Sequence, residues 1–262
     1  MKQISELQAI LSYFLNWNKA RIACLTQIIQ GLFRVRTVNL TQIAEAFQTE
    51  TKTSSSYRRI QRFFKVFSFD MSFIVILISK LFIMEEKNVL IMDRTNWKWG
   101  KKPINILMLS VEYFGIAIPL FWTVLDKEGA SSSKDRMSLL RRVIKRMGPE
   151  KIQVLLADRE FIGEHWFRFL IEEQIPFVIR VKQNFLVQGL RKEHKVPIRE
   201  LLKTLGRKKR LINHPIKLWG HAVFASLEHR KGAKEAMIVV SNNSFPTPLE
   251  LYRWRWGIES KR

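Results

Sequence analysis

Apolar residues are spaced differently in two parts of this chain. Up to about residue 86 they recur every three or four positions, and this stretch contains one glycine and no proline. That spacing predicts helices, because residues three and four apart lie on one helix face. From about residue 89 continuous apolar runs replace it, and such runs are typical of buried strands. We therefore predict a helical region over residues 1–86 and an α/β domain over residues 87–262.

Two helices of the first region follow the pattern of a DNA-binding motif. Residues 40–47 predict a short amphipathic helix with Thr41 as its N-cap, and residues 54–67 predict a longer, basic helix. The predicted apolar face of the longer helix consists of Ile60, Phe63, Phe64 and Phe67. A helix, a turn and a basic helix make up a helix-turn-helix, in which the second helix reads DNA.

Basic side chains on the longer helix are the candidates for DNA contact. We predict that three arginines of the helix bind nucleic acid: Arg58, Arg59 and Arg62. The same pattern also fits an ordinary pair of helices with a solvated basic face, and the sequence leaves both interpretations open.

Apolar runs alternate with helical patterns in the second domain. Strands are predicted at residues 89–95, 104–113, 116–125, 152–157 and 176–181, and helices at residues 131–147 and 164–173. Their order is strand, strand, strand, helix, strand, helix, strand. The basic stretch that follows is broken by Gly and Pro, so it predicts a β-rich insertion over about residues 184–245. Strands within the insertion are expected near residues 216–219, 222–227 and 236–240.

A final helix is predicted to begin at Thr247. Thr247 would cap this helix, Pro248 would take its first position, and Glu250 would close a capping box. Residues at offsets of 0, 3 and 7 would share one face of the helix: Tyr252, Arg255 and Glu259. An apolar stripe one step round would hold the helix to the sheet: Leu251, Trp254 and Ile258. Taken alone, the first set is typical of a structural ion-pair stripe.

Two aspartates lie where an isolated carboxylate is costly. Asp93 interrupts the run VLIMDRT, and Asp158 directly follows the run IQVLLA. Burial of an unpaired carboxylate costs free energy, so each aspartate needs a partner. The arginine that follows each aspartate is one candidate, in a plain salt bridge. If the two strands are parallel neighbours, both carboxylates meet at one edge of the sheet, and a shared cation is the better interpretation.

The charge of the chain indicates its partners. The net charge is +22, from 45 basic and 23 acidic residues. A surface this positive attracts polyanions, with nucleic acid as the first candidate and an anionic membrane surface as the competitor. The single cysteine, Cys24, excludes internal disulfides and suits a reducing cytoplasm. We expect a cytoplasmic protein without a membrane partner, because no signal peptide is recognisable and the apolar run 73–84 is too short to span a bilayer.

Carboxylates and positive charge together suit one chemistry. Three acids offer the hard oxygen ligands that Mg²⁺ or Mn²⁺ prefers. Two such ions can activate a water or a 3′-hydroxyl and stabilise the leaving oxygen of a phosphoryl displacement. We therefore expect catalysis and metal binding at Asp93, Asp158 and Glu259, with two Mg²⁺ or Mn²⁺ ions.

The motifs around these residues resemble a known family. Asp93 in MDRTNW, Asp158 in ADREFIG and Glu259 in YRWRWGIE are similar to the DDE transposases of bacterial insertion sequences. The spacing of Tyr252, Arg255 and Glu259 resembles the branch that has a β-strand insertion and a Y-x2-R-x3-E-x6-K signature. This resemblance covers about residue 89 to the end. It implies a ribonuclease H-like mixed sheet with flanking helices, the three acids as metal ligands, and DNA-backbone contacts by Tyr252 and Arg255.

The resemblance also implies an activity and partners. Family members cleave and join double-stranded DNA at transposon ends and at a target, so we expect a homodimer in a synaptic complex that is associated with a bacterial nucleoid. Family members also use an aromatic residue in the insertion for DNA hairpin chemistry. Trp219 is the matching candidate, although packing within the domain is the commoner role. Glu160, close to Asp158, is a reserve member of the acidic set.

One feature departs from the family pattern. The signature lysine would fall at position 266, whereas the sequence ends at Arg262. We therefore expect a C-terminally truncated copy. The alternative interpretation is therefore a catalytically inactive transposase remnant that only binds DNA. The same three acids would also serve a related metal nuclease without strand transfer.

Overall fold

The chain forms two compact units, Met1–Leu77 and Ile78–Arg262. The computed structural model describes residues 2–66, 75–78, 87–100, 102–190, 194–203, 210–229, 232 and 235–255. The predicted boundary at residue 86 lies within residues 79–86, which are outside these ranges.

The first unit is helical where it is described. Its helices are α1 (Lys2–Phe14), α2 (Lys19–Val35), α3 (Leu40–Glu45) and α4 (Thr53–Val66). Side chains of α2, α3 and α4 form one buried apolar cluster, which includes Ile28, Ile43 and Ile60. Gly31 on α2 permits this packing, because a Cβ atom there would lie 2.8 Å from Cγ2 of Ile43. The helices α3 and α4 thus pack as the pair that the sequence predicts.

Two details of this unit differ from the prediction. Asn39, rather than Thr41, caps α3, and its side-chain oxygen accepts a hydrogen bond from the backbone N–H of Thr41 at 3.0 Å. An N-cap residue precedes the first helical turn, and Thr41 already lies inside that turn. Phe64 is exposed although Ile60 and Phe63 of the same predicted face are buried, so the buried face of α4 is narrower than predicted. Phe67, the last member of the predicted apolar face, lies outside the described residues.

The second unit is built on one sheet. Its described strands are β1 (Asn88–Trp99), β2 (Lys102–Tyr113), β3 (Ile116–Leu125), β4 (Ile152–Ala157), β5 (Phe177–Arg180), β6 (Leu186–Gly189), β7 (Lys195–Pro197), β8 (Arg210–Leu218), β9 (His221–Glu228) and β10 (Met237–Ser241). Its described helices are α5 (Ser133–Met147), α6 (Glu164–Glu172), α7 (Glu200–Lys203) and α8 (Pro248–Arg253), with a 3-10 turn at Pro149–Lys151. The strand order in the sheet is β3-β2-β1-β4-β5-β10-β9-β8-β6-β7.

The first half of this sheet has the predicted ribonuclease H-like arrangement. Strands β1, β2 and β3 form an antiparallel meander. Strand β4 then pairs in parallel with β1, and β5 pairs in parallel with β4. Four consecutive residues of each strand are buried, Val89–Met92 in β1 and Val154–Ala157 in β4. Because consecutive strand residues point to opposite faces, both faces of the sheet are covered here. The mixed sheet with flanking helices confirms the predicted fold class.

The predicted insertion continues the same sheet. Strand β10 pairs antiparallel with β5, and β9, β8, β6 and β7 follow it outwards. The three predicted strands are present as β8, β9 and β10. The sequence pattern does not predict β6, β7 or α7, because each has only three or four residues and shows no readable repeat.

Helix α5 begins with a complete capping box. The hydroxyl of Ser132 accepts from the N–H of Asp135 at 3.2 Å, and the Asp135 carboxylate accepts from the N–H of Ser132 at 2.8 Å. Lys127 adds an ion pair to that carboxylate at 2.6 Å. Burial alone raises the pKa of Asp135, but Lys127 and the hydrogen bonds outweigh it and lower this pKa to about 2.

Helix α8 has the predicted start, with Thr247 at the N-cap position and Pro248 after it, but lacks the predicted capping box. Thr247 makes no side-chain hydrogen bond to the helix. Glu250, predicted to close a capping box, instead forms an ion pair with Arg210 at 2.7 Å. The predicted box is therefore wrong, because a nearby guanidinium competes for the carboxylate that would have closed it.

The buried face of α8 also differs from the predicted apolar stripe. Leu249 and Tyr252 are fully buried, whereas Trp254 is exposed. Ile258, the last member of the predicted stripe, lies outside the described residues. The face with Tyr252 and Arg255 turns inwards instead, because both side chains meet acceptors there, as shown below. Within the described ranges, no helix is long and apolar enough to cross a membrane.

Candidate active site

Two neighbouring strands place Asp93 and Asp158 at the same level of the sheet. Met92 of β1 is in register with Ala157 of β4, and each aspartate is the next residue of its chain segment. The strands are parallel neighbours, which is the condition under which the sequence predicts that both carboxylates meet at one edge. Asp93 is still within β1, while Asp158 begins the loop after β4.

Arg255 connects the two carboxylates. Its Nη1 atom lies 3.5 Å from Oδ1 of Asp93, and its Nη2 atom lies 3.4 Å from Oδ2 of Asp158. The hydroxyl of Tyr252 donates to Oδ1 of Asp158 at 3.3 Å, and Nε of Arg255 donates to the same hydroxyl oxygen at 3.3 Å. Four of the predicted site residues therefore converge where β4 ends, beside the middle of β1.

The four side chains differ in exposure. Arg255 is only 5% exposed and Tyr252 is fully buried, whereas Asp93 and Asp158 are 39% and 29% exposed. Burial raises the pKa of Tyr252 to about 12, so its hydroxyl keeps its proton at neutral pH. Burial by itself lowers the pKa of Arg255, but Tyr252 and the two aspartates outweigh it and raise the net pKa. The site thus consists of accessible carboxylates held by a buried, charged guanidinium.

The donor set fits a hard divalent cation. Both aspartates offer carboxylate oxygens, which Mg²⁺ and Mn²⁺ prefer, and both already share one cation, the Arg255 guanidinium. The third predicted ligand, Glu259, lies outside the described residues. Among the residues that are described, no group of three or more His, Cys, Asp or Glu is placed to hold a metal ion.

Glu160 has a different role from the reserve ligand that the sequence suggests. Its carboxylate accepts from Nε of Arg94 at 3.0 Å and from Nη2 of Arg94 at 2.9 Å. Both oxygens are engaged in this pairing, which argues against Glu160 as a metal ligand. Arg159, the other arginine next to a site aspartate, pairs with Glu235 at 3.2 Å.

Sequence reasoning missed Arg136 of α5. This buried arginine donates to the carbonyls of Glu160 and Ile162, at 3.0 and 3.3 Å, in the loop that Asp158 begins. A signal was present, because Arg136 lies three, four and seven residues before Leu139, Leu140 and Val143, which are buried on the same helix. An arginine on the apolar face of a predicted helix indicates an internal acceptor.

The predicted DNA-contacting arginines of α4 are not alike. Arg58 and Arg62 are exposed. Arg59 is half-buried and donates to the carbonyl of Ala20 on α2 at 3.0 Å. It also lies beside the thiol of Cys24, whose pKa is raised by burial and lowered in smaller part by Arg59. Arg59 therefore holds α4 to α2, while Arg58 and Arg62 face solvent.

A basic cleft of about 1170 Å³ lies beside the loop after β4. Its cationic side chains are Arg159, Lys182, Lys195 and Lys217. Trp219 also lines the cleft, in the two-residue turn between β8 and β9, and has edge-on contacts with Phe167 at 5.4 Å and Phe185 at 5.6 Å. Trp219 and Gly220 both have positive φ, 48° and 84°, as a tight hairpin turn requires. Packing of Trp219 is thus established, and its role in DNA chemistry stays a prediction.

Several solved structures are similar to this chain. A piggyBac transposase synaptic complex with hairpin DNA is 12% identical, with a TM-score of 0.48, over 99% of this chain and 64% of that chain. The HTLV-2 integrase catalytic core domain, in complex with magnesium, is 17% identical, with a TM-score of 0.28, over 36% and 61%. Endonuclease V of Bacillus subtilis is 8% identical, with a TM-score of 0.31, over 79% and 82%. This chain thus spans less than two thirds of the piggyBac and integrase chains.

A match to a protein family identifies the chain more directly. No curated protein matches it. The family model described as a transposase DDE domain, however, matches residues 85–261, which is more than half of the chain. The matched range includes Asp93, Asp158 and all described strands of the sheet. This protein therefore belongs to the family of transposases with a DDE domain.

Proposed function

We propose that this protein catalyses metal-dependent cleavage and transfer of DNA strands at the ends of an insertion sequence. The observation that carries the proposal is the convergence of Asp93 and Asp158 on the guanidinium of Arg255. A structural salt bridge needs only one carboxylate, whereas here β1, the loop after β4 and the segment after α8 bring three charged groups to one point. Paired carboxylates at this place suit the phosphoryl chemistry of the transposase family to which the chain belongs.

Asp93, Asp158 and Glu259 would hold two Mg²⁺ or Mn²⁺ ions. When bound, these ions activate a water or a 3′-hydroxyl and stabilise the leaving oxygen of the cleaved phosphodiester. Arg255 offsets the repulsion between the two aspartates, so that they can converge. Tyr252 fixes the orientation of the Asp158 carboxylate through its hydroxyl. In the DNA-bound state, Tyr252 and Arg255 would also contact the DNA backbone.

Double-stranded DNA is the proposed substrate, as transposon ends and as target. The net charge of +22 supports a polyanionic partner, and cations such as Lys182 and Lys217 line the cleft beside the loop that Asp158 begins. On the first unit, the proposed DNA contacts are Arg58 and Arg62, which present their charge to solvent, and to a smaller extent Arg59, which also donates to the carbonyl of Ala20. We propose that the protein acts as a homodimer in a synaptic complex, on the DNA of a bacterial cytoplasm.

Substitution of one aspartate tests this function. Asp93→Ala removes a proposed metal ligand, so nicking of end-containing DNA in Mg²⁺ or Mn²⁺ should fall below detection while DNA binding survives. Asp126→Ala is the matched control, because Asp126 is an exposed aspartate in the turn after β3. That control should cleave like the unmodified protein.

Two results would count against the proposal. Metal-independent cleavage, or full activity of Asp93→Ala, would rule out this site. DNA binding without any cleavage by the unmodified protein would support the alternative instead, a catalytically inactive remnant that only binds DNA.

A further inference from the structure

A second charged cluster lies on the other face of the sheet from Asp93. Arg94 follows Asp93 in β1, so the two side chains point to opposite faces. Arg94 pairs with both carboxylate oxygens of Glu160, and the two side chains are 13% and 28% exposed. Glu160 lies two residues after Asp158, in the loop after β4. This pair therefore ties the middle of β1, which carries Asp93, to the loop after β4, which carries Asp158.

Arg94 is itself held in place by Asn105 of β2. Nη1 of Arg94 donates to the side-chain oxygen of Asn105 at 3.1 Å. Asn105 is buried, and its amide nitrogen donates to the carbonyls of Lys127 and Gly129, each at 2.9 Å. The position of the guanidinium is thus fixed by a neighbouring strand and by the turn after β3.

Arg136 holds the main chain of the same loop. Arg136 donates to the carbonyls of Glu160 and Ile162, as described above. It also donates to Ser131, from Nε to the hydroxyl at 2.9 Å and from Nη2 to the carbonyl at 2.6 Å. Its guanidinium also lies 5.1 Å from the ring centre of the fully buried Phe161. Both the side chain and the backbone of Glu160 are therefore anchored by arginine.

We propose that Arg94, Glu160 and Arg136 are positioning residues that set the relative placement of the Asp93 and Asp158 carboxylates for divalent-metal binding. This inference rests on the proposed function. Groups that orient metal ligands matter because their loss typically costs about 10- to 100-fold in metal affinity or activity. The two-point pairing of Arg94 with Glu160 has a fixed geometry that a lysine does not reproduce.

Metal binding by Glu160→Gln and Arg94→Lys tests the inference. Mn²⁺ is titrated into the full chain, and the free ion is measured by its electron paramagnetic resonance signal, so that the readout is independent of cleavage. We expect both variants to bind Mn²⁺ about 10- to 100-fold more weakly than the unmodified protein. Arg168→Gln is the matched control, because it breaks the Arg168–Glu164 pair of α6, which has the same 2.9 Å separation as the Arg94–Glu160 pair. That control should bind Mn²⁺ normally.

Asp93→Ala separates failure of the inference from failure of the proposed function. If Asp93→Ala binds Mn²⁺ as the unmodified protein does, the metal is not at the aspartates and both fail. If only Asp93→Ala weakens binding, the proposed function stands and the positioning role is overturned. Equal weakening by Arg168→Gln would also overturn that role. A lower thermal unfolding midpoint of Glu160→Gln with unchanged Mn²⁺ affinity would do the same, because it would reveal a purely structural ion pair.

Discussion

Arginines in the two units have the same charge but opposite surroundings. On α4, Arg58 and Arg62 are exposed. In the second unit, the side chains of Arg94, Arg136 and Arg255 are largely buried, and each forms hydrogen bonds or ion pairs with acceptors of the protein itself. The charge of the first group faces solvent, where a polyanion can reach it, while the second group serves internal acceptors. The net charge of +22 therefore adds together cations that face solvent and cations that build the site.

Removal of Arg136 should give the largest effect on stability. Arg136→Met leaves three buried or partly buried backbone carbonyls without this donor, and each unsatisfied group costs about 1–3 kcal/mol. We expect the free energy of unfolding, measured by urea denaturation, to fall by about 3 kcal/mol or more.

Arg141→Met is the control for this substitution. Arg141 is exposed and lies over the ring of Phe169 at 4.9 Å, so its loss should cost less than about 1 kcal/mol. Equal losses of the free energy of unfolding in the two variants would show that the burial of an arginine does not determine its contribution to stability.

Loss of the exposed arginines should change DNA binding and leave stability almost unaltered. If Arg58 and Arg62 each neutralise one phosphate, replacing both with Gln lowers the slope of log affinity against log salt by about 0.9 for each. The free energy of unfolding should stay within about 0.5 kcal/mol of its original value. Fluorescence anisotropy of labelled duplex DNA, at a series of salt concentrations, measures the slope. An unchanged slope would remove α4 from the DNA contact.

Arg59 tests the same distinction within a single helix. Its hydrogen bond to the carbonyl of Ala20 joins α4 to α2, so Arg59→Gln should lower the free energy of unfolding by about 1 kcal/mol. The salt slope should change less than it does for Arg58 or Arg62. A large change of slope without a loss of stability would place Arg59 with the exposed arginines.

Asp135 extends the comparison to a carboxylate, which pairs with Lys127 and Ser132 of the same unit. The pKa of Asp135 is about 2, below the ordinary value of 3.8. Its contribution to the free energy of unfolding is therefore complete above pH 3.8 and is lost as the pH falls towards 2. Asp135→Asn should lower the free energy of unfolding by about 1 kcal/mol near neutral pH, and by less in acid. Urea denaturation at both pH values measures this difference. A difference that persists undiminished in acid would contradict the assignment.

The sequence predicts long elements well and short ones poorly. Strand β4 has its predicted ends, Ile152 and Ala157, because its apolar run is bounded by polar residues. Strands β6 and β7 fall below the length at which alternation can be read. The helix caps are predicted less well. Asn39 precedes α3 and caps it, whereas the predicted cap, Thr41, lies inside the first turn, and Arg210 takes the carboxylate of Glu250.

The sequence also predicts the candidate site only in part. Asp93 and Asp158 stand out because a carboxylate is costly inside or beside an apolar run. The sequence does not reveal which cation meets each one. Arg94 adjoins Asp93 but pairs with Glu160, because consecutive strand residues face opposite sides of the sheet. The residue that pairs with both aspartates, Arg255, comes from the segment just after α8, far away in the sequence.

Iron bound in place of magnesium tests the central claim most directly. In ascorbate and peroxide, bound Fe²⁺ generates hydroxyl radicals that cut the nearby main chain, and mass spectrometry locates the cuts. The account predicts cuts next to Asp93, in the middle of β1, and next to Asp158, at the end of β4, and both excess Mg²⁺ and Asp93→Ala should suppress them. Cuts confined to other parts of the chain, or cuts at these two places that persist in Asp93→Ala, would contradict it.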